Sequence, residues 1–509
     1  MKKLNRRHPF EVNKEFVGIA KKYEETELLL KIGSNDVRVL ALWGMDGIGK
    51  TTLAKDLYAK LCSQFERHCF IENIREESTK CGLNGVRNKL FSTLLELSVD
   101  APYVETPIFI RRLSCEKSFI VLDDVATLEQ AENLSIVNNI LGPSSRVIVT
   151  TRDKQICSQF NECAIYEVKG MNRDDSLQLF CWNAFGKKHA KVGYEELLES
   201  AVWYCRGNPL ALKVLGANFR TKSKEAWESE LEKLKKIPNR RIHDVLKLSF
   251  DDLDRTQQDI FLDIACFSNS RLTDVDYLSG RDYLTILLNA CKFFSVSGVE
   301  VLLYKALITF RHCDEIEMHD LLLEMGREIV KQECPKNPGR RSRLWDPKEV
   351  YDVLKYNKVT GRLNYFCMYI FDYEIQARLI CMTLVILNFV FQGTEVVEVI
   401  QFTISEIGDL YLSSDCFKSM TNLRCLHITN NIKQVNGLKC YTVQLPEGLE
   451  WLSDKLRHLY WESFPLESLP STFLVKGLYN LACPIASLES FGREFRYKLI
   501  NVFVYSCYR

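Results

Sequence analysis

Eight consecutive residues, Gly44-Met45-Asp46-Gly47-Ile48-Gly49-Lys50-Thr51, satisfy the pattern G-x-x-x-x-G-K-[ST]. Their flanks constrain the fold further. Val37-Arg38-Val39-Leu40-Ala41-Leu42-Trp43 precedes them, apolar on both faces as a buried parallel strand must be. Leu53, Leu57 and Leu61 follow at i, i+4 and i+8, the apolar stripe of a helix. A strand, a glycine-rich turn and a helix in that order make a phosphate-binding loop. Glycines at 44, 47 and 49 let the main chain wrap closely and aim amide N–H groups at phosphate oxygens, and the helix N-terminus adds partial positive charge. In such a loop Lys50 reaches the β- and γ-phosphates, Thr51 ligates Mg²⁺, and Thr52 bonds the α-phosphate.

Two later segments supply matching chemistry. Phe119-Ile120-Val121-Leu122-Asp123-Asp124 is a strand that delivers carboxylates at its carboxyl end. Asp123 is expected to hold Mg²⁺ through water. Asp124 either orients or activates a hydrolytic water, the one catalytic role assigned, or caps the following helix. Val147-Ile148-Val149-Thr150-Thr151-Arg152-Asp153 also ends in polar groups, and Arg152 is placed to sense a γ-phosphate or to make a surface salt bridge.

With 509 residues the chain has room for three or four compact units. Lys and Arg total 67 against 66 Asp and Glu, so a chain-wide basic field for nucleic acid or lipid is excluded. The local clusters Lys235-Lys236 with Arg240-Arg241, and Arg340-Arg341-Ser342-Arg343, fit solvated faces or intersubunit contacts better than direct nucleic-acid binding. Nineteen cysteines include no C-x-x-C pair, and Met1–Arg7 lacks the apolar core of a secretory leader. Reduced thiols in a soluble intracellular protein, cytoplasmic or nucleocytoplasmic, are expected.

Residues 1–15 form a basic linker. From residue 16 to 170, strand candidates His68–Ile74, Phe119–Leu122, Val147–Thr150 and Ala164–Val168 alternate with helical stretches, which predicts an α/β sheet covered on both faces. Residues 171–250 turn helical. Residues 251–332 form a second helical unit with a β-like stretch at Val299–Tyr304, and Pro335, Pro338 and Gly339 mark a linker over 333–362.

Residues 363–392 hold no Gly or Pro and only Asp372, Glu374 and Arg378 as charges. The uncharged run Leu379–Phe391 is thirteen residues, short of the ~20 that span a bilayer. No membrane span is therefore expected, and a translated, unspliced intron is preferred for this apolar insert. Residues 393–490 change texture. Asn422–Ile428, Lys455–Trp461 and Gly477–Cys483 share L-x-x-L, and the last two start 22 residues apart, within the leucine-rich-repeat range of ~20–29. A partial solenoid is the expectation, chance leucines on an amphipathic segment the alternative. The tail 491–509 leaves the pattern.

These motifs resemble the NB-ARC module of plant nucleotide-binding leucine-rich-repeat disease-resistance proteins, of the subclass associated with an N-terminal TIR domain. The resemblance also rests on Phe70–Glu76, on Cys205-Arg206-Gly207-Asn208-Pro209-Leu210-Ala211-Leu212 (the G-x-P-L motif), on Met318-His319-Asp320 (the M-H-D triplet), and on Leu122–Val125 with Leu344-Trp345-Asp346. It implies a multidomain α/β plus α fold: a P-loop NTPase sheet domain of STAND/AP-ATPase type, a helical subdomain, a winged-helix-like subdomain and partial repeats. It implies that Pro209 packs on the adenine, that Val17 and Gly18 line the adenine site, and that His319 touches the ADP β-phosphate.

The function so implied is an intracellular immune receptor, or a truncated form, switched by ADP and ATP. Its repeats would meet a pathogen effector or a guarded host protein, with homo- or hetero-oligomers of related receptors possible. The alternatives are a signalling-incompetent adaptor or decoy pairing with a full-length receptor, and a turning-over ATPase. At most a slow ATPase is expected, and, because no strand–helix block precedes Phe16, no TIR domain with its NAD-cleaving activity.

Overall fold

The computed structural model describes residues 17–96, 107–235, 237–267, 295–310, 316–356, 394–404, 409–429, 442–462, 464–466, 469–470, 473 and 480–482. The basic arm, the apolar insert at 363–392 and the tail 491–509 lie outside the described residues. The chain divides into two compact units, Met1–Asp252 with Val301–Ile308 and His319–Leu321, and the remainder.

In the first unit, β1 (Arg38–Trp43), β2 (Arg67–Ile71), β3 (Ser118–Val125), β4 (Arg146–Thr151) and β5 (Cys163–Glu167) form one sheet in the order β2-β3-β4-β1-β5. Every pairing is parallel, so all five carboxyl ends emerge along one edge, where open α/β sheets place their ligands. Helices α1 (Ala20–Leu30), α2 (Lys50–Leu61), α3 (Ile74–Leu95), α4 (Pro107–Leu113) and α5 (Leu128–Ile140) surround it. The double-sided apolar strands have a direct cause. Leu40, Leu42, Val121 and Ile148 pack with Leu53, Leu57 and Leu61 of α2 on one face. Val39, Ile120, Val147 and Val149 pack with Leu90 and Leu94 of α3 on the other.

Arg146 ties α1 to the sheet from inside. Its fully buried guanidinium donates to the carbonyls of Leu30 and Asp36, both at 2.6 Å, of Lys31 at 2.7 Å and of Ser34 at 3.0 Å. Carbonyls left open where α1 ends thus find a charged donor. This fixes the helix that follows Val17 and Gly18.

Helices α6 (Arg173–Phe185), α7 (Glu195–Cys205), α8 (Pro209–Phe219), α9 (Lys224–Leu234) and α10 (Arg240–Asp251) complete the unit. Trp227 anchors them: it stacks on Phe219 at 4.6 Å between centroids, and its Nε1–H donates to the Phe219 carbonyl at 2.9 Å.

In the second unit, α11 (Arg255–Phe267), α12 (Ser295–Tyr304), a short antiparallel pair of β6 (Thr309–Phe310) with β7 (Ile316–Glu317), and α13 (Asp320–Glu333) come first; α12 and α13 each give some residues to the first unit. Val299–Tyr304, expected to be β-like, is the end of helix α12. Its Val299 and Leu302 are buried at helical spacing, so burial on one helical face overrides the β-branched composition.

A parallel sheet follows in the order β14-β13-β11-β9-β8, built from β8 (Arg343–Leu344), β9 (Val399–Thr403), β11 (Cys425–Thr429), β13 (His458–Trp461) and β14 (Asn480–Ala482). The three L-x-x-L segments supply β11, β13 and β14, side by side in register. β10 (Leu410–Tyr411) pairs with β12 (Val443–Gln444) as a second, shorter parallel ladder.

The linker expected over 333–362 is corrected here: β8 opens the repeat sheet, and α14 (Pro347–Tyr356) covers it. Leu344, Val350, Val353 and Leu354 share a core with Ile400, Leu426 and Leu459, and that apolar stripe outweighs the prolines, which turn the chain beforehand.

Asp263 of α11 joins this sheet to the helices. Its carboxylate, 1% exposed, accepts from Arg343 Nε at 2.7 Å and from both terminal nitrogens of Arg424 at 2.9 Å. Burial pushes its pKa up, but the two guanidiniums outweigh burial and hold it below the usual carboxylate value. Asp263→Ala would strip the buried Arg343 and the partly buried Arg424 of their shared counter-charge, leaving only Asp259 and Glu398 beside them, a loss on the order of 3 kcal/mol. Urea denaturation followed by tryptophan fluorescence should show the corresponding drop in midpoint; an unchanged midpoint would mean the cluster adds no stability.

Candidate functional site

The phosphate loop leaves β1 and enters α2 with φ of 152°, 73° and 101° at Gly44, Gly47 and Gly49. Gly47 needs to be glycine for two reasons. Its φ lies in the left-handed region, and a Cβ there would sit 2.6 Å from Leu210 Cβ and 2.9 Å from Asn208 Oδ1. Lys50, 8% exposed, donates through Nζ to the carbonyls of Gly44 at 2.8 Å and Met45 at 2.9 Å. Burial pushes its pKa down to about 8; Asp46 pulls it back up and Arg152 pushes it further down.

Strands β3 and β4 bring the acidic groups to the same edge. Their pairing skips from Leu122 to Val125, which takes Asp123 and Asp124 out of the ladder. Asp123 is fully buried. Its Oδ1 accepts from Thr51 Oγ1 at 2.8 Å and Thr150 Oγ1 at 2.7 Å, whereas Oδ2 is buried with no hydrogen-bond partner. Burial, reinforced by the neighbouring Asp124 charge, raises the pKa of this carboxyl above its ordinary value, against the downward pull of the two hydroxyls. A buried carboxylate oxygen without a donor, beside a threonine hydroxyl, fits a divalent cation such as Mg²⁺. Asp124 adopts φ 58°, and its N–H donates to Thr150 Oγ1 at 2.9 Å.

Arg152 faces the phosphate loop. Its Nε lies 2.7 Å from Asp46 Oδ1 and 3.5 Å from Asp124 Oδ1, and its NH1 donates to Asp46 Oδ2 at 3.0 Å. The surface salt bridge considered as its alternative role is instead a close ion pair with a nearly buried acid.

The segment Arg206-Gly207-Asn208-Pro209-Leu210 closes over the loop. Asn208 Nδ2 donates to the Asp46 carbonyl at 3.0 Å, and Leu210 N–H donates to the Gly47 carbonyl at 3.1 Å. Asn208 Oδ1 also caps α8 by accepting from Ala211 N–H, with Pro209 at the first helical position, where its missing N–H costs nothing. Between these elements is a cleft lined by Val17, Gly18, Ile48, Gly49, Thr52 and Pro209. It is also bordered by Lys22, Leu53, Met171, Leu179 and Lys213.

His319 reaches the same segment from the other side. Its Nδ1 accepts from Leu321 N–H at 3.2 Å, which leaves the proton on Nε2 to donate to the Arg206 carbonyl at 3.2 Å. Asp320 accepts from Arg206 Nε at 2.5 Å, and the guanidinium lies 3.7 Å from the Trp203 ring centroid. The M-H-D triplet thus grips the residue that opens the R-G-N-P-L segment.

The structure therefore brings Val17, Gly18, Gly49, Thr52 and Pro209 to one cleft. Gly44, Gly47, Lys50, Thr51, Asp123, Asp124 and Arg152 gather at the sheet edge beside it, and His319 is one residue pair removed, on Arg206. Sequence reasoning missed Asp46, Asn208 and Ser249, whose hydroxyl donates to Asp46 Oδ2 at 2.6 Å. Asp46 and Asn208 stood inside motifs already recognised, at positions those motifs leave open; nothing local marks Ser249.

Sheet order, loop and metal-side carboxylate define a P-loop NTPase of the STAND/AP-ATPase type. Residues 21–190 match the NB-ARC domain, and residues 254–334 match the winged-helix domain described as Disease resistance protein Roq1-like. Disease resistance protein RUN1 of Vitis rotundifolia is 34% identical over 478 residues, covering 90% of this chain and 33% of that protein. TMV resistance protein N of Nicotiana glutinosa is 31% identical, covering 94% and 37%. The chain belongs to the NB-ARC family of plant disease-resistance proteins, and it spans about a third of the length of these relatives.

Gly47→Ala tests how the loop is closed. The left-handed conformation costs about 1–2 kcal/mol for an alanine, and the overlap with Leu210 adds ~1–3 kcal/mol. A lower melting temperature and looser contact with the Asn208–Leu210 segment are expected; wild-type melting would show that the contact is not close.

Proposed function

We propose that the chain is an adenine-nucleotide switch in plant defence signalling, with ADP held in the cleft between the phosphate loop and α8. The observation that carries this reading is the double attachment of the R-G-N-P-L segment. It hydrogen-bonds the phosphate loop through Asn208 and Leu210, and it accepts the imidazole N–H of His319 through Arg206. Adenine would lie against Pro209, with Val17 and Gly18 beside it, and loop amides from Gly44 to Thr51 would meet the phosphates. Thr52 would take the α-phosphate. Lys50 would exchange its carbonyl partners for phosphate oxygens. Thr51 and Asp123 would hold Mg²⁺, which when bound neutralises charge on the phosphates. Arg152 would face the γ-phosphate of ATP, and Asp124 would orient a water.

Loss or exchange of the nucleotide alters what the Asn208–Leu210 segment rests on, and that segment is also where His319 and Asp320 hold. A ligand shifts such a balance only by its difference in affinity for the two states. A swing from 1:99 to 99:1 requires ~5.5 kcal/mol, more than one hydrogen bond supplies, so several of these contacts must change together.

The proposed functional division is nucleotide-binding 16–170, helical 171–250, winged-helix-like 251–332 and repeats 393–490, the last joined by β8 and α14 from the segment before them. Recognition of an effector or a guarded host protein is assigned to the repeats, and the cytoplasm to the whole. Among the described residues no helix is long and apolar enough to cross a membrane.

Denaturing the purified protein should release ADP at near-equal stoichiometry, and Lys50→Ala should release little. Affinity should also depend on pH. Phosphate binds the ammonium form of Lys50, whose pKa without phosphate is about 8. Below that pH the proton is already in place; above it binding must take one up, and affinity should fall by up to about tenfold per pH unit. Calorimetry at pH 7 and pH 9.5 reads this directly. No retained nucleotide together with unchanged binding in Lys50→Ala would contradict the switch, and turnover near ~1 s⁻¹ would favour an ordinary ATPase.

A further inference from the structure

Asp46 stands among the cations that a phosphate loop presents to its ligand. Its carboxylate is 6% exposed and pairs with Arg152, whose NH1 donates to Oδ2 at 3.0 Å and whose Nε lies 2.7 Å from Oδ1. Its second oxygen also accepts from Ser249 Oγ at 2.6 Å, and its carbonyl accepts from Asn208 Nδ2 at 3.0 Å. A guanidinium held this closely by one carboxylate has less charge and fewer N–H groups to offer a phosphate. Asp46 therefore fills the coordination that Arg152 would otherwise offer to a ligand anion.

We propose that Asp46 is a specificity-determining residue, an internal anion that sets the preference for nucleoside diphosphate over triphosphate by occupying Arg152. The proposal rests on the adenine-nucleotide reading above. A diphosphate leaves the Arg152–Asp46 pair intact. A triphosphate brings one more phosphoryl group with its negative charge, and must either take Arg152 from Asp46, leaving that carboxylate uncompensated, or go without the guanidinium. Both routes penalise the third phosphate. Ser249 lies in α10, so a carboxylate that loses Arg152 also changes its hold on that helix. Asp46 does not touch the reacting atoms in this scheme; it acts through Arg152 and is a positioning residue.

The test measures binding of ADP and of a non-hydrolysable ATP analogue, each with Mg²⁺, to the full chain and to Asp46→Asn. Asparagine keeps the shape but not the charge, so the analogue should bind about tenfold tighter relative to ADP. Arg152→Ala should weaken the analogue selectively, and in that background Asp46→Asn should favour the analogue less than it does in the otherwise wild-type chain. Asp46→Ser gives the same reading if the asparagine variant does not fold.

An unchanged ratio, or equal weakening of both ligands, would overturn the proposal and leave Asp46 as a loop brace, even though ADP still binds. A wild-type chain that binds neither nucleotide would instead remove the reading on which the proposal rests.

Discussion

A main-chain hairpin that bends through Gly47 and is met at that point by Asn208 and Leu210 is the contact on which the site depends. Two peptides, one in the phosphate loop and one at the start of α8, come within hydrogen-bonding distance because no Cβ stands between them. From this contact the remaining geometry follows. Pro209 is set beside Gly49, Asn208 caps its own helix while it holds the Asp46 carbonyl, and the carbonyl of Arg206 is turned toward His319. The sheet supplies the other wall, with Asp123 at the end of β3 and Arg152 just beyond β4 on the same edge as the loop.

The charges of the site are held by mutual neutralisation rather than by solvent. Lys50 is buried against carbonyls, Arg152 is committed to Asp46, and Asp123 spends one oxygen on two hydroxyls while the other lacks a donor. Such groups are costly to bury unless partners complete them, and the partners outstanding are of opposite kinds: an anion for the lysine and a cation for Asp123. The proposed Mg²⁺–nucleotide would supply both. The second unit shows the same economy of charge in a structural setting, where Asp263 and two arginines join α11 to the first strands of the repeat sheet.

Much of this was legible before any coordinates, for a physical reason. The strand, glycine turn and helix of the loop are contiguous, and each residue type there is dictated by local geometry or by the ligand. The same holds for the five strands of the nucleotide sheet, whose two-sided burial shows as unbroken apolar runs. Long-range partners were not legible. Ser249 is an ordinary helical serine until Asp46 is placed beside it. Arg343 and Leu344 look like part of a basic linker until β9 offers a ladder and Asp263 a counter-charge. β9 itself, Val-Ile-Gln-Phe-Thr, lacks the L-x-x-L of its neighbours and is recognised as a repeat strand by its pairing with β11. Val299–Tyr304 misled through its valines, because composition favours a strand where burial on one side selects a helix. For His319 the triplet marked the residue but not its partner, a main-chain carbonyl that carries no sequence signature.

The central claim is that the nucleotide and the M-H-D triplet are coupled through the R-G-N-P-L segment. Amide hydrogen exchange of Leu210, which donates to Gly47, and of Leu321, which donates to His319, tests it most directly when read with and without saturating ADP. The account predicts that both amides slow together on ADP binding. Protection confined to the phosphate loop, with Leu321 exchanging at its nucleotide-free rate, would contradict it.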